Sequence, residues 1–229
     1  MLSATEWGIV TLSLKVGLAA VAGTLPIALA IAWLLARRRF PGKLLVDAIV
    51  HLPLVVPPVV TGWLLLLLFA PDGWIGGPLD RWFGTGVLFR WSGAAIAAGV
   101  MALPLMVRAI RLSLEAVDRR LEGAARTLGA SRIDVARSIT LPLALPGIAA
   151  ALVLGFARAL GEFGATITFV SNVPGETQTL PLAIYAALQL PDGAASVWRL
   201  SALSVLLSLA ALVVSEWLMR RARTDAHVV

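Results

Sequence analysis

The chain has 229 residues, of which 59% are hydrophobic and 14% are charged, and its formal net charge is +6. A soluble domain is nearer half apolar and a quarter charged, so this composition predicts an integral membrane protein. The absence of cysteine excludes disulfides and cysteine-ligated metals, and we expect no metal site.

Five segments are apolar enough to cross a bilayer, which takes about 20 apolar residues. Uncharged runs fill residues 16–36, 52–71 and 138–157, and shorter ones fill residues 91–107 and 200–215. The shorter runs reach spanning length if charged side chains at their ends extend to the headgroups. We therefore predict an all-α integral membrane fold with five transmembrane helices, over about residues 8–36, 44–70, 91–113, 138–162 and 197–219.

Lysine and arginine are concentrated in alternate connections between these segments. Fourteen lie within residues 37–43, 108–137 and 220–223, whereas the other connections hold only Arg81, Arg90 and Arg199. Positively charged loops stay cytoplasmic, so we expect a periplasmic N-terminus and a cytoplasmic C-terminus. Membrane topology therefore explains the positive charge, and we expect contact with lipid and no nucleic-acid partner.

Residues 163–196 are apolar but interrupted by Pro174, Pro181 and Pro191. A helix within residues 180–190 would be too short to cross the membrane, although counting it would give six spans. Non-helical backbone at membrane depth survives only where protein or water satisfies its polar groups. We therefore expect this segment to lie on, or dip into, the outer face and to line a cavity.

The charged loop 114–137 separates the third and fourth predicted spans. Asp118 is placed to cap a helix, which Gly129 then ends. Ser131 and Asp134 have the spacing of a capping box that opens a second helix. The first helix carries an apolar stripe, formed by Leu121, Ala124, Ala125 and Leu128. This pattern is typical either of an amphipathic helix lying on lipid or of a helix that docks on a cytoplasmic partner.

The loop resembles the EAA loop of ABC importer permeases. That motif reads Glu-Ala-Ala, three residues, Gly, nine residues, Ile, one residue, Leu-Pro. The matching positions here are Ala124, Ala125, Gly129, Ile139, Leu141 and Pro142. The departure is that Gly123 occupies the motif's Glu position and Glu122 lies one residue earlier, about 100° around a helix.

The resemblance extends over nearly the whole chain. The stretches HLPLVVPPVVTGWLLLLL, MALPLMVRAIRLSLEAVD and GFARALGEFGATITFVSNVPGETQTLPLAIY are similar to the permeases of bacterial molybdate importers. Sulfate and thiosulfate permeases share segments like GEFGA and TLPL, so they remain an alternative. The resemblance implies that residues 1–229 form a single transmembrane domain with the type I ABC importer permease bundle.

The resemblance also implies a function and an assembly. A homodimer of this chain in the bacterial inner membrane would import molybdate, with tungstate as a second candidate anion. A periplasmic molybdate-binding protein would deliver the anion, and the coupling loop 114–137, including Glu122, would seat on a dimer of cytoplasmic ABC ATPase subunits.

The chain itself would hold no catalytic residue and no cofactor. It lacks the pattern G-x-x-x-x-G-K-[ST], so we expect ATP and Mg²⁺ to bind the partner ATPase. A self-powered secondary transporter is the alternative from another class. That class predicts inverted repeats, and none is visible in the sequence.

Polar residues in or near the predicted spans are candidates for the translocation path or its gate. Arg158 and Glu162 stand four residues apart, and ionisable residues within a membrane are functional candidates. A structural ion pair is the alternative for these two. Because a cationic trap would release a dianion slowly, we expect a weakly polar path. Its candidate members are Thr61, Thr166, Thr168, Ser171 and Asn172.

We predict that a bulky charged residue at Ala125 or Gly129 separates ATP hydrolysis from uptake, because small residues there let another surface approach closely. Uptake and ATP hydrolysis by the reconstituted importer would be measured together, and insertion checked by membrane fractionation. Normal transport by inserted variants would contradict the docking role of the loop.

Overall fold

The computed structural model describes residues 3–84 and 86–226, and this part of the chain is helical without a β-strand. A five-residue π-helical turn, Ala136–Thr140, joins two of the helices. In chain order the α-helices are α1 (Ala4–Arg37), α2 (Lys43–Val55), α3 (Pro58–Phe69), α4 (Gly76–Phe83), α5 (Trp91–Ala116), α6 (Arg119–Thr127), α7 (Arg132–Val135), α8 (Leu141–Leu160), α9 (Gly164–Val170), α10 (Leu180–Leu188) and α11 (Ala194–Ala226).

The centre of the fold is the packing of α5 against α1 and α8. Small residues allow these helices to approach closely, since Ala28, Ala102 and Ala151 are fully buried where they meet. Gly155 of α8 receives the side chain of Met106, because a Cβ atom there would lie 2.8 Å from the Met106 Cγ. Close van der Waals contact of this kind holds helices together in lipid, where the hydrophobic effect between them is absent.

The described helices account for the predicted spans. Helices α1 and α5, the segment Ala194–Ala211 of α11 and the continuous segment Arg132–Leu160 are long and apolar enough to cross a membrane, and the bent pair α2–α3 makes a fifth span if counted as one. The apolar window of α5 is 67% buried, whereas that of α11 is 6% buried. Helix α5 is therefore central, whereas the segment Ala194–Ala211 of α11 presents most of its surface outward.

The predicted second span, residues 44–70, is broken far more sharply than a kinked helix. Helices α2 and α3 meet at 114°. Val56 and Pro57 between them are extended, with ψ angles of 138° and 134°. The residue before a proline is disfavoured in the helical region and proline donates no backbone hydrogen bond, so the Pro57–Pro58 pair ends α2. Pro53, by contrast, lies within α2 without ending it.

Helix α10 confirms that the predicted segment near residues 180–190 is too short to cross. Its nine residues span about 14 Å, against a hydrocarbon core of about 30 Å. The Leu180 N–H donates to the Ser13 hydroxyl of α1 over 2.8 Å, and that hydroxyl donates to the Ile9 carbonyl. The start of α10 is thus tied to α1 by a buried side chain.

Helix α3 packs on the short helix α9 at a glycine. A Cβ atom at Gly62 would lie 2.5 Å from the Ala165 carbonyl oxygen and 2.9 Å from the Thr168 Cβ. Because the nearest of these atoms belongs to the backbone, a side-chain rotation cannot relieve the contact. Gly62 therefore sets how closely α3 and α9 approach.

We predict that Gly62→Ala lowers stability by about 1–3 kcal/mol, the usual cost of overpacking. Gly23→Ala is the matched control, because a Cβ atom at Gly23 of α1 meets nothing within 4 Å. The measurement is the thermal midpoint of the detergent-solubilised protein. Equal midpoints for the two variants would show that α3 and α9 do not require this close approach.

Candidate functional site

The predicted capping groups of the coupling loop are all present. The Asp118 carboxylate accepts a hydrogen bond from the Arg120 N–H over 2.8 Å, at the start of α6. Gly129 follows the end of α6 with φ at +89°, a conformation that favours glycine. Ser131 and Asp134 bond each other's backbone N–H groups over 3.1 and 3.2 Å, which confirms the capping box of α7.

The capping box also has an electrostatic consequence. Asp134 lies on the exposed part of the loop, ahead of the apolar run that begins at Ser138. The hydroxyl and then the backbone N–H of Ser131 lower the pKa of the Asp134 carboxyl, since both favour its charged form. The stabilisation from this box is complete above the ordinary pKa and is lost as pH falls through the lowered value.

The apolar stripe of α6 faces away from the bundle. Leu121 is 50% exposed and Leu128 is 89% exposed. Ala124 is also exposed and Ala125 is half-buried between them. The exposed side of α6 is therefore available to contact another surface, and its small residues place no bulk in the way.

The remaining motif positions lie at the base of the loop. Ile139 belongs to the π turn, and Leu141 and Pro142 form the first turn of α8. Ile139 and Leu141 are half-buried and Pro142 is exposed. The motif thus divides into an exposed part on α6 and a part that joins the loop to α8.

Glu122 is the buried member of α6. Its Oε1 lies 2.7 Å from the Arg37 Nη2, and its Oε2 accepts a hydrogen bond of 3.3 Å from the Arg37 Nη1. The Thr140 hydroxyl donates to the same Oε1 over 2.6 Å. Sequence analysis identified Glu122 but missed both partners, because Arg37 is 85 residues away and no local pattern connects them.

The π turn positions Thr140 for this contact. Its hydroxyl also lies 3.5 Å from the Val135 carbonyl, five residues earlier, as the wider turn allows. Thr140 is 1% exposed and points inward at the junction of α7 and α8. Turns of this kind within α-helices occur frequently at functional sites.

Positive charge surrounds Glu122. An open cavity of about 390 Å³ borders α6, and Arg126, one of its lining residues, donates to the Glu122 carbonyl one turn earlier over 3.1 Å. Five arginines line this cavity: Arg37, Arg38, Arg119, Arg126 and Arg132. The arrangement favours an acidic surface or an anionic headgroup beside the loop.

The structure brings the candidate path residues together around α3 and α9. Thr61 of α3 and Thr166 of α9 are buried, and the Thr168 hydroxyl donates to the Gly164 carbonyl over 3.0 Å. Ser171 and Asn172 follow α9 directly. Thr61, Thr166 and Thr168 thus lie on the packed helices α3 and α9, and Ser171 and Asn172 lie just beyond the end of α9.

The backbone after α9 is strained. Ser171 has φ at +61°, which is uncommon for a residue other than glycine. Its carbonyl accepts a hydrogen bond of 2.9 Å from the buried Thr177 hydroxyl, which in turn accepts one of 2.7 Å from the Val173 N–H. The Asn172 Oδ1 is buried without a hydrogen-bond partner among the described residues. Strain and unpaired polar atoms of this kind cluster at functional sites.

Arg158 and Glu162 form the predicted ion pair, with Nη1 and Oε2 2.6 Å apart. The two residues do not share one helix, because α8 ends at Leu160, two residues before the predicted end of the fourth span at residue 162. Glu162 follows that end, and its Oε1 accepts a hydrogen bond of 2.7 Å from the Ala165 N–H in the first turn of α9. Both carboxylate oxygens are therefore engaged within the chain.

The chain resembles known transport proteins in sequence. Residues 25–224 match the family described as binding-protein-dependent transport system inner membrane component. The Molybdenum transport system permease protein ModB of Escherichia coli (strain K12) is 56% identical over 226 residues, which cover 99% of each chain. The protein of that name from Haemophilus influenzae is 54% identical over 94% of each chain. The Sulfate transport system permease protein CysT of Salmonella typhimurium is 39% identical over 70% of this chain and 58% of its own.

Solved structures share the fold at lower identity. A bacterial alginate ABC transporter, solved with a pentasaccharide-bound periplasmic protein, matches 96% of this chain and 80% of its own, with a TM-score of 0.74 and 17% identity. The MetNI methionine ABC transporter in inward facing conformations matches 95% of this chain and 94% of its own, with a TM-score of 0.69 and 18% identity. The fold is thus that of ABC transporter permeases. The chain belongs to the family of inner membrane components of binding-protein-dependent transport systems.

Proposed function

We propose that this chain is the membrane-spanning permease of an ATP-driven, binding-protein-dependent importer of molybdate, with tungstate as a second anion. The observation that carries the proposal is 56% sequence identity, over 99% of each chain, to a protein named as a molybdenum transport system permease. The sulfate permease is less similar and matches a smaller part of the chain. A periplasmic molybdate-binding protein delivers the anion.

The coupling loop 114–137 docks on a separate cytoplasmic ATPase dimer, which binds ATP and Mg²⁺. Exposed Leu121 and Leu128 supply apolar contact, and the small Ala124 and Ala125 allow a close approach. The distribution of lysine and arginine supports a cytoplasmic position for the loop and a periplasmic N-terminus.

The importer contains two copies of this chain. The resemblance to ABC importer permeases supports this assignment, and the contacts of α2 and α3 within the chain leave large apolar side chains available to a second copy or to lipid, with Trp63 and Leu67 each 51% exposed. A second copy covers part of this surface and lipid covers the rest. The candidate path residues of α3, of α9 and of the segment after α9 then lie near the interface, where two copies enclose one path.

The path is weakly polar rather than cationic. Thr61, Thr166, Thr168, Ser171 and Asn172 supply hydroxyl and amide groups that hold a dianion loosely enough to release it. Arg158 does not act as an anion trap, because Glu162 neutralises it at 2.6 Å. The pair instead stabilises the connection between α8 and α9.

We predict that Glu162→Ala destabilises the protein by about 3 kcal/mol or more, since it leaves Arg158 without its partner and α9 without the carboxylate at its first turn. Glu162→Gln keeps an oxygen for the Ala165 N–H, so its cost is smaller. Thermal midpoints in detergent would rank the variants. An alanine variant as stable as wild type would mean that the pair serves transport and not the fold.

The proposed function itself is tested by uptake. The chain would be co-expressed with its ATPase subunit, reconstituted into vesicles with the binding protein, and assayed for molybdate uptake with and without ATP and with excess sulfate. We expect uptake that requires ATP and survives the sulfate. Uptake abolished by sulfate would assign the importer to sulfate, and uptake without ATP would indicate a self-powered transporter.

A further inference from the structure

We infer that Glu122, Arg37 and Thr140 form a clamp that transmits movement of the coupling loop to the spanning helices. They act as positioning residues and not as part of the surface that docks on the ATPase. The inference rests on the proposed function, since it assigns a role within the importer.

The clamp joins three elements at one carboxylate. Glu122 lies on α6, Arg37 is the last residue of α1, and Thr140 ends the π turn before α8. The guanidinium meets both carboxylate oxygens over 2.7 and 3.3 Å, and the hydroxyl adds a contact of 2.6 Å. Nη1 donates the hydrogen bond, Nη2 lies within ion-pair distance, and Nε and Nη2 have no hydrogen-bond partner among the described residues. The ion pair and the hydrogen bond from Thr140 together hold α6 against the end of α1.

Burial makes the clamp stiff. The side chains of Arg37 and Glu122 are each 12% exposed, and Thr140 is 1% exposed. Removing one partner of a buried pair leaves an uncompensated charge, so the clamp resists opening when the loop is pulled. An exposed pair would not resist in this way, because water replaces its partners easily.

Other connections from α6 to the long helices are weak. Helix α6 packs mainly on α7 and the π turn. Among the residues that the structure describes, the contact between Arg37 and Glu122 is the one ion pair or side-chain hydrogen bond between α6 and α1. Force applied to α6 therefore reaches α1 through this carboxylate.

The Glu122 carboxylate is also connected to α8, through its hydrogen bond from Thr140. Residues Arg132–Leu160 form one continuous helical segment, and Thr140 lies within it. Helices α1 and α8 both pack on α5, so a displacement of Glu122 reaches the central bundle from two sides. A buried, hydrogen-bonded network that links rigid helices is the physical requirement for such transmission.

Because Glu122 is buried, it is not part of the surface of α6 that is available for docking. The neighbouring Leu121 is 50% exposed, whereas Glu122 is 9% exposed. Its two oxygens already bind groups of this chain, and a partner would reach them only by opening the clamp. The exposed stripe and the buried acid therefore perform different tasks on one short helix.

The test compares Glu122→Gln, Arg37→Gln and Thr140→Val in the complete reconstituted importer. Two quantities are measured: molybdate moved per ATP hydrolysed, and retention of the ATPase subunit in a pull-down. We expect the variants to retain the ATPase subunit as wild type does, while transport per ATP falls at least about fivefold, the lower end of typical coupling between sites.

Matched controls isolate the clamp. Asp118→Asn removes one negative charge from the same loop but keeps a good helix cap, and we expect it to behave as wild type. Thr140→Ser keeps the hydroxyl and should restore the transport ratio that Thr140→Val loses. The double variant of Arg37 and Glu122 should be no worse than the worse single one, because residues that act as a unit are not additive.

Several outcomes would overturn the inference. Loss of the ATPase subunit in step with transport would place Glu122 in the docking surface, and unchanged transport per ATP would remove the clamp from coupling. If the two variants that remove a charge, Glu122→Gln and Arg37→Gln, are not inserted, the nearly isosteric Thr140→Val decides the question by its molybdate moved per ATP hydrolysed. A wild-type importer without ATP-dependent uptake would instead refute the proposed function, before any variant is compared.

Discussion

The close packing of α5 against α1 and α8 is the constraint on which the rest of the structure depends. These helices meet through alanine and glycine, because lipid supplies no hydrophobic force between helices and only close contact holds them. Ala102 and Ala151 are fully buried, and Met106 fills the space at Gly155. With this bundle in place, its two ends become fixed positions. At one end, Glu122 of the coupling loop contacts Arg37 and Thr140. At the other end, α8 leads to α9 and to Ser171 and Asn172, which follow it.

The breaks in the helices are tolerated because other parts of the chain satisfy their polar groups. Glu162 accepts from the first turn of α9, Ser13 accepts from the first turn of α10, and Thr177 bonds the backbone on either side of Asn172. Irregular backbone within a membrane protein requires such partners or water. These side chains hold α9 and α10 in place although both helices are too short to cross the bilayer, and they leave the hydroxyl groups of α9 beside α3.

The two sides of α6 in the coupling loop differ, because one side is exposed and apolar and the other buries Glu122. Leu121, Leu128 and Ala124 face outward, where they are accessible to another surface. Glu122 faces inward, one residue earlier than the motif places its acid, and this offset of about 100° is enough to move a side chain from the exposed to the buried side of a helix. The departure from the motif therefore has a structural consequence: the acid of this chain binds its own α1 and the π turn.

The sequence by itself determined the features that depend on neighbouring residues. Apolar runs predicted the spans, and Asp118, Gly129, Ser131 and Asp134 predicted the helix ends within the loop. Only the tertiary structure decided which distant groups meet. The contact of Glu122 with Arg37 and that of Leu180 with Ser13 follow from packing. Packing joins residues far apart in the chain, and no local periodicity or capping pattern carries that information.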